Sequence, residues 1–179
     1  MKKTGTLVQE RTLNCNLCPA KIMNKPIRKI DEKQALNRLM EICSKAEKSP
    51  AEIEKKISDW GLNSHRESLL EKLREENFIN PERFALAFSR DKVKLNKWGK
   101  IKIRYALRGH LIEPDTIDHA LNQIDDEIYE EMIREELKKK HKSLKNKNPF
   151  QVKSKLYAFG SQRGYESDLI NRYFRSEGL

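Results

Sequence analysis

The stretch Ser49-Pro50-Ala51-Glu52-Ile53-Glu54-Lys55-Lys56-Ile57-Ser58-Asp59-Trp60-Gly61-Leu62-Asn63-Ser64-His65-Arg66-Glu67 decides how the whole chain is read. Ser49 before a proline, with Glu52 three places on, has the form of a capping box with proline at the first helical position, where its missing N–H costs nothing. Ile53, Ile57 and Trp60 then recur at helical spacing as one apolar stripe, and Gly61 stops the helix. Ser64-His65-Arg66-Glu67 has the shape of a second capping box and leads into Leu69, Leu70 and Leu73. Each such cap is worth about 1 kcal/mol, so the two together mark a pair of short helices joined by a tight turn.

The same punctuation returns downstream as Arg108-Gly109-His110 and Arg163-Gly164-Tyr165, at intervals of 48 and 55 residues from glycine to glycine. Periods of this length belong to helical repeats that stack to share a core. Upstream, Leu36, Leu39, Met40 and Cys43 follow i, i+3, i+4, i+7. A middle unit opens on Asn80-Pro81 and carries Phe84, Ala85 and Phe88, then Ile103 and Leu107, then Ile117, Leu121 and Ile124 after Pro114. In a last unit the stripes are Ile128, Met132 and Ile133, then Val152, Leu156 and Phe159 behind a cap at Asn148-Pro149-Phe150-Gln151, then Leu169, Ile170, Tyr173 and Phe174. No stretch has the alternation of a strand pair. The expectation is an all-α fold of three tandem three-helix repeats, at 35–79, 80–124 and 125–179, in an elongated, curved array. Units of about 45 residues bury too little surface alone, so neighbours must pack on one another.

Composition narrows the function. Hydrophobic residues make up 37% of the chain and charged residues 36%, so the core has to come from narrow stripes on charged helices. A net charge of +10 favours an anionic partner, nucleic acid first, although a solvated basic surface accounts for the same number. No run approaches the roughly 20 apolar residues that span a bilayer, and no apolar stretch follows Lys2 and Lys3 as a secretory signal would need. Three cysteines cannot all pair internally, which argues for a reducing, cytoplasmic setting. Residues 1–34 lack periodicity and hold eight bases against Glu10, Asp31 and Glu32, the composition of a basic, disordered arm. Within it Cys15 and Cys18 form a lone C-x-x-C, without the two further ligands of a zinc site. Phosphate-binding glycine loops, nucleophile elbows and paired metal-binding histidines are all absent from the sequence. Neither an enzyme nor a cofactor is expected.

Charge is segregated along the chain. Between Arg90 and Arg108 lie eight bases and one acid; between Ile112 and Glu136, ten acids and one base; between Leu137 and Lys155, eight lysines and no acid. On the second helix of the middle unit, Lys97, Lys100, Arg104 and Arg108 fall at i, i+3, i+7, i+11, one narrow stripe, with Trp98 at its start. Cations in a row beside an aromatic ring neutralise successive phosphates and offer a stacking face. The candidate DNA-binding residues are therefore Lys92, Lys94, Lys97, Trp98, Lys100, Lys102, Arg104 and Arg108, joined by Lys138, Lys139 and Lys142 from the later run. A solvated helix face beside a buried tryptophan explains the same residues without function. For the acids, Asp125, Asp126 and Glu127 opposite Lys138, Lys139 and Lys140 compensate a helix dipole, with pairs expected at Glu135–Lys139 and Glu136–Lys140; a basic protein partner is the functional alternative.

Asn80-Pro81-Glu82-Arg83-Phe84-Ala85, followed by Lys97-Trp98-Gly99-Lys100 and the run from Ile103 to Leu107, resembles the central signature of the RecX regulatory proteins. Ala35-Leu36, the segment from Ser49 to Ile57, and Gly61 before Leu69-Leu70-Glu71-Lys72-Leu73 are similar to the first repeat of that family. The resemblance covers about residues 35–175 and does not reach the arm. It implies a monomer of three tandem three-helix repeats, without catalytic residues, that binds the RecA recombinase filament in its groove, contacts single- and double-stranded DNA, and inhibits the recombinase. It also implies that Phe84 and Ala85 are repeat core and that Gly99 is the turn opening a second helix. The competing reading is a stand-alone helix-turn-helix transcription factor. Third helices that start at Ser64, Glu113 or Tyr165 and are acid-rich fit poorly with a recognition helix. A scaffold without any nucleic-acid role would be favoured if the charge blocks pointed in unrelated directions.

Overall fold

The computed structural model describes residues 30–144 and 148–179, which carry nine α-helices and no strand. Residues 1–29 of the basic, disordered arm expected at 1–34, with Cys15 and Cys18, lie outside the described residues. Helices α1 (Glu32–Lys45), α2 (Pro50–Asp59) and α3 (Arg66–Glu75) pack together, as do α4 (Pro81–Lys94), α5 (Lys100–Gly109) and α6 (Pro114–Asn122), and α7 (Asp126–Lys142), α8 (Pro149–Arg163) and α9 (Ser167–Ser176). No described helix is long and apolar enough to cross a membrane.

Local chemistry sets most of the helix starts. Ser49 accepts from the Glu52 N–H while its own N–H donates to the Glu52 carboxylate, a complete capping box with Pro50 behind it. Asn80, Asp125 and Asn148 each accept from the N–H three residues on. Helix α1 starts earlier than the end of the expected arm, at Glu32, because Asp31 accepts from the Gln34 N–H. The second capping box does not form. Residues Asn63–His65 make a 3-10 turn that runs straight into α3, so Ser64 is already inside helical backbone and no side chain caps the helix.

The turns after the second helices share one closure, though not one residue type. Leu62 N donates to Ile57 O at 3.0 Å, Ile112 N to Leu107 O at 3.2 Å and Tyr165 N to Gly160 O at 2.9 Å, each a bond from the residue just past a left-handed one. Those left-handed residues are Gly61 (φ 73°), Leu111 (φ 59°) and Gly164 (φ 80°). Gly109, expected to match the other two glycines, is instead the last residue of α5. Leu111 thus carries the strain that glycine avoids, and it is mostly exposed. Leu111→Gly is expected to raise stability by about 1 kcal/mol in urea unfolding, and a loss would refute this account of the turn.

The apolar side chains form two separate clusters. One holds Ala35, Leu39, Ile53, Ile57, Leu69, Leu70 and Leu73 of the first three helices. The other is continuous across the remaining six, from Phe84, Ile103 and Leu107 through Ile117 and Leu121 to Ile133, Leu156, Ile170 and Phe174. Ile128, expected in the core, is 68% exposed, and Tyr129 takes the inward place at 2%. Met132 and Ile133 stay in the core as expected, and only the first place of the stripe moves by one residue, because the tyrosine hydroxyl finds two part-buried partners, described next. Where the first cluster meets the second, Ser49 Oγ lies 2.9 Å from His110 Nδ1 and Arg83 pairs with Glu47.

Candidate nucleic-acid interface

The site is built on the seam between the second and third groups of helices. Helix α4 closes with Lys97 left-handed (φ 55°) and Trp98 N donating to Lys92 O at 3.0 Å. Lys97 therefore lies in the turn after α4 and is not on α5, which corrects the expected four-cation stripe. Gly99 is the N-cap of α5 and has no side chain to cap it. The orphan amides go across the seam instead: Gly99 N to Arg163 O (2.9 Å), Lys100 N to the Tyr129 hydroxyl (2.7 Å) and Ile101 N to Gly164 O (3.2 Å). In return the Tyr165 hydroxyl donates to Lys97 O at 3.0 Å and Arg163 Nη1 to Asn96 O at 2.8 Å. The approach is so close that a Cβ at Gly99 would stand 1.9 Å from Gly164 O.

Tyr129 is the hub. Its hydroxyl accepts from Lys100 N and donates to Glu166 Oε2 at 2.7 Å. Burial, reinforced by the Glu166 charge, pushes the phenol far above its ordinary value, so the proton stays and the donation to Glu166 holds.

On this frame the predicted cations have different surroundings. Lys92 and Lys102 place their ammonium groups 5.0 and 4.6 Å from the centroid of the Trp98 ring, which is half-buried. Lys94 is exposed on the last turn of α4. Arg108 is exposed on α5, its guanidinium 5.9 Å from the ring of Tyr105, an aromatic 68% exposed that the sequence reading did not single out. Lys100 and Arg104, by contrast, are held by the chain's own carboxylates: Lys100 Nζ lies 2.7 Å from Asp126, and Arg104 bonds Asp118. Asp126 is held below the usual carboxylate range by that Lys100 bond. Lys139 pairs with Glu136 at 3.0 Å and reaches Glu135 at 4.0 Å. The expected Glu136–Lys140 pair is not made; Lys140 lies over Phe159, and Glu136 turns to Lys139 and Arg163.

Two basic surfaces result, not one. Lys138 and Lys142 border a groove with His141, Leu144 and Leu179 at the far end of α7, about 18 Å along the helix from Asp126. Lys97 faces neither; it lines a groove of about 450 Å³ with Glu127, Ile128, Glu131, Met132 and Glu135. Here an exposed isoleucine sits in a frame of carboxylates. The Asp118 and Asp126 partners were invisible in the sequence, because pairing across helices depends on packing that no local pattern encodes.

Family models described as RecX, second three-helix domain, and RecX, third three-helix domain, match residues 81–121 and 127–174 in that order. The chain is similar to the regulatory protein RecX of Clostridioides difficile (strain 630), 26% identical over 139 residues, covering 78% of this chain and 66% of that protein. It thus spans just under two thirds of that relative's own length. Regulatory protein RecX of Clostridium beijerinckii is 27% identical over 179 residues, covering 96% of this chain and 82% of that protein. Among solved structures, RecX from Lactobacillus salivarius superimposes with a TM-score of 0.73 at 16% identity, over 80% of this chain and 94% of that one, a likeness of fold.

Proposed function

This chain belongs to the RecX family of regulatory proteins, and from that premise we propose that it is a non-enzymatic regulator of homologous recombination. In this reading it binds a RecA-type recombinase filament and DNA as a single chain and inhibits the recombinase. The observation that carries the reading is the pairing of two unlike surfaces on one braced seam. Lys92 and Lys102 flank Trp98 with no carboxylate among the described residues bonded to either, and the acidic groove around Ile128 opens from the adjoining α7. The first suits a polyanion, since each phosphate neutralised releases counterions. The second suits a basic protein surface with an apolar knob. A filament of protein on DNA presents both at once.

Bound along the filament groove, such a chain hinders the entry of a second duplex and disturbs contacts between protomers. Because Lys100 and Arg104 are already paired, they contribute less to phosphate binding than Lys92 and Lys102. Charge reversal at Lys92 and Lys102 together is expected to flatten the dependence of log affinity on log salt by about two units, near −0.9 per phosphate contact. It is also expected to weaken inhibition of DNA-dependent ATP hydrolysis by the recombinase. Asp118→Asn, which releases Arg104, is expected to move affinity the other way. Unchanged salt dependence together with unchanged inhibition in the reversed variant would discard this surface. Tight binding to one duplex sequence in the absence of recombinase would favour the transcription-factor reading.

A further inference from the structure

Helix α8 carries a surface that the reading above leaves without a task. From Pro149 to Arg163 it contains Lys153, Lys155 and Arg163 and not one carboxylate. A helix that packs on a core turns its large rings inward; here Phe150 is 82% exposed and Tyr157 41% exposed. The two are seven residues apart, hence two turns along one face and about 10 Å apart in rise. With Lys153 and Ser154 between them, and Asn171 and Phe174 of α9 opposite, they line an open groove of about 350 Å³.

The groove is braced. The Tyr157 hydroxyl stands 3.1 Å from Ser167 Oγ, tying the ring to the start of α9. The Lys153 ammonium lies 5.4 Å from the centroid of Phe174, which is buried. Two exposed rings separated by a cation, on a helix free of acids, match a ligand that alternates flat faces with negative charge. On α5 the chain's own Asp126 and Asp118 hold Lys100 and Arg104, whereas on α8 no Asp or Glu side chain among the described residues bonds Lys153, whose ammonium reaches Leu179 O at 3.4 Å.

The geometry points to this groove as a base-stacking site for single-stranded nucleic acid, with Phe150 and Tyr157 taking bases on their faces and Lys153, between them, the intervening phosphate. A duplex offers the same phosphates but keeps its base faces stacked on each other, so the groove discriminates single strands from double. The inference rests on the reading that the chain contacts DNA, but needs no recombinase and uses residues remote in sequence from Trp98.

The test is fluorescence anisotropy of the full chain with three labelled probes of equal length: oligothymidine, an abasic deoxyribose-phosphate strand, and a duplex. The unaltered chain is expected to bind oligothymidine about tenfold tighter than the abasic strand. Phe150→Ala with Tyr157→Ala should bring oligothymidine down to the abasic level and leave the duplex where it was. Tyr157→Phe, which keeps the ring, should retain the preference. Both positions are exposed, and far-ultraviolet circular dichroism checks that the helices persist. Charge reversal at Lys92 and Lys102 should weaken all three probes and spare the ratio. Equal binding of oligothymidine and abasic strand by the unaltered chain overturns the stacking site alone. So does a double alanine variant that keeps its preference, or one that keeps it and loses the recombinase, which would make the groove a protein contact. No binding of any probe overturns this site and the DNA contact of the proposed function together.

Discussion

Gly99→Ala is expected to destabilise the protein by about 3 kcal/mol or more, the far end of what one added methyl does. The added carbon would meet Gly164 O at 1.9 Å and Gly164 C at 2.2 Å, both backbone, so no side chain can swing away. Relief requires the two helical groups to part, and parting them breaks the cross-seam bonds from Gly99 N, Lys100 N and Ile101 N. Urea unfolding followed at 222 nm measures the loss. Gly109→Ala is the control: nothing stands within 4 Å of a Cβ there, and the residue is helical, so alanine is expected to be neutral or stabilising. Equal outcomes for the two variants would contradict the seam.

Leu69→Ala is expected to cost about 3 kcal/mol, since Leu69 is fully buried and its neighbours close only partly over the space left. The more telling expectation is where the damage appears. Leu69 belongs to the apolar cluster of the first three helices, which does not merge with the other. Links between the two include the Ser49–His110 hydrogen bond and the Arg83–Glu47 ion pair, contacts too few to make the clusters melt as one. Hydrogen exchange in the variant should therefore quicken across α1, α2 and α3 and stay slow in α4 through α9. Uniform quickening would show that the chain is a single cooperative unit.

What could be read from residue order alone follows a physical divide. Caps at Ser49, Asn80 and Asn148 were legible because donor and acceptor lie three residues apart, and the helical stripes because burial repeats with the helix turn. The Ser64 cap misled, since a 3-10 turn entering α3 competes for the same backbone. Gly109 misled because glycine is the usual left-handed residue, yet the reversal falls at Leu111, one place before Ile112 must turn into the core. Ile128 and Tyr129 were exchanged for want of knowing that Glu166 and Lys100 N await a hydroxyl.

The candidate site was legible as composition and not as geometry. That eight bases fall between Arg90 and Arg108 is plain from the sequence, but which of them face solvent depends on Asp118 and Asp126 arriving from other helices. Lys97 left the stripe because α4 needs a left-handed residue to close, a requirement of the backbone. The aromatic pair on α8 was hidden by its own period: Phe150 and Tyr157 fit a helix, and nothing local says which side of it is covered.

Two of the amides that open α5, Gly99 N and Ile101 N, take their acceptors from residues some 60 positions later in the chain, Arg163 and Gly164, and the Tyr165 hydroxyl returns across a separation of 68. A nascent polypeptide leaving the ribosome reaches α5 long before those acceptors exist. Its middle third must wait, its first turn hydrated, while the leading three helices are free to condense on their own cluster. Translation arrested after α7 would leave a chain able to form its first module and unable to finish its second.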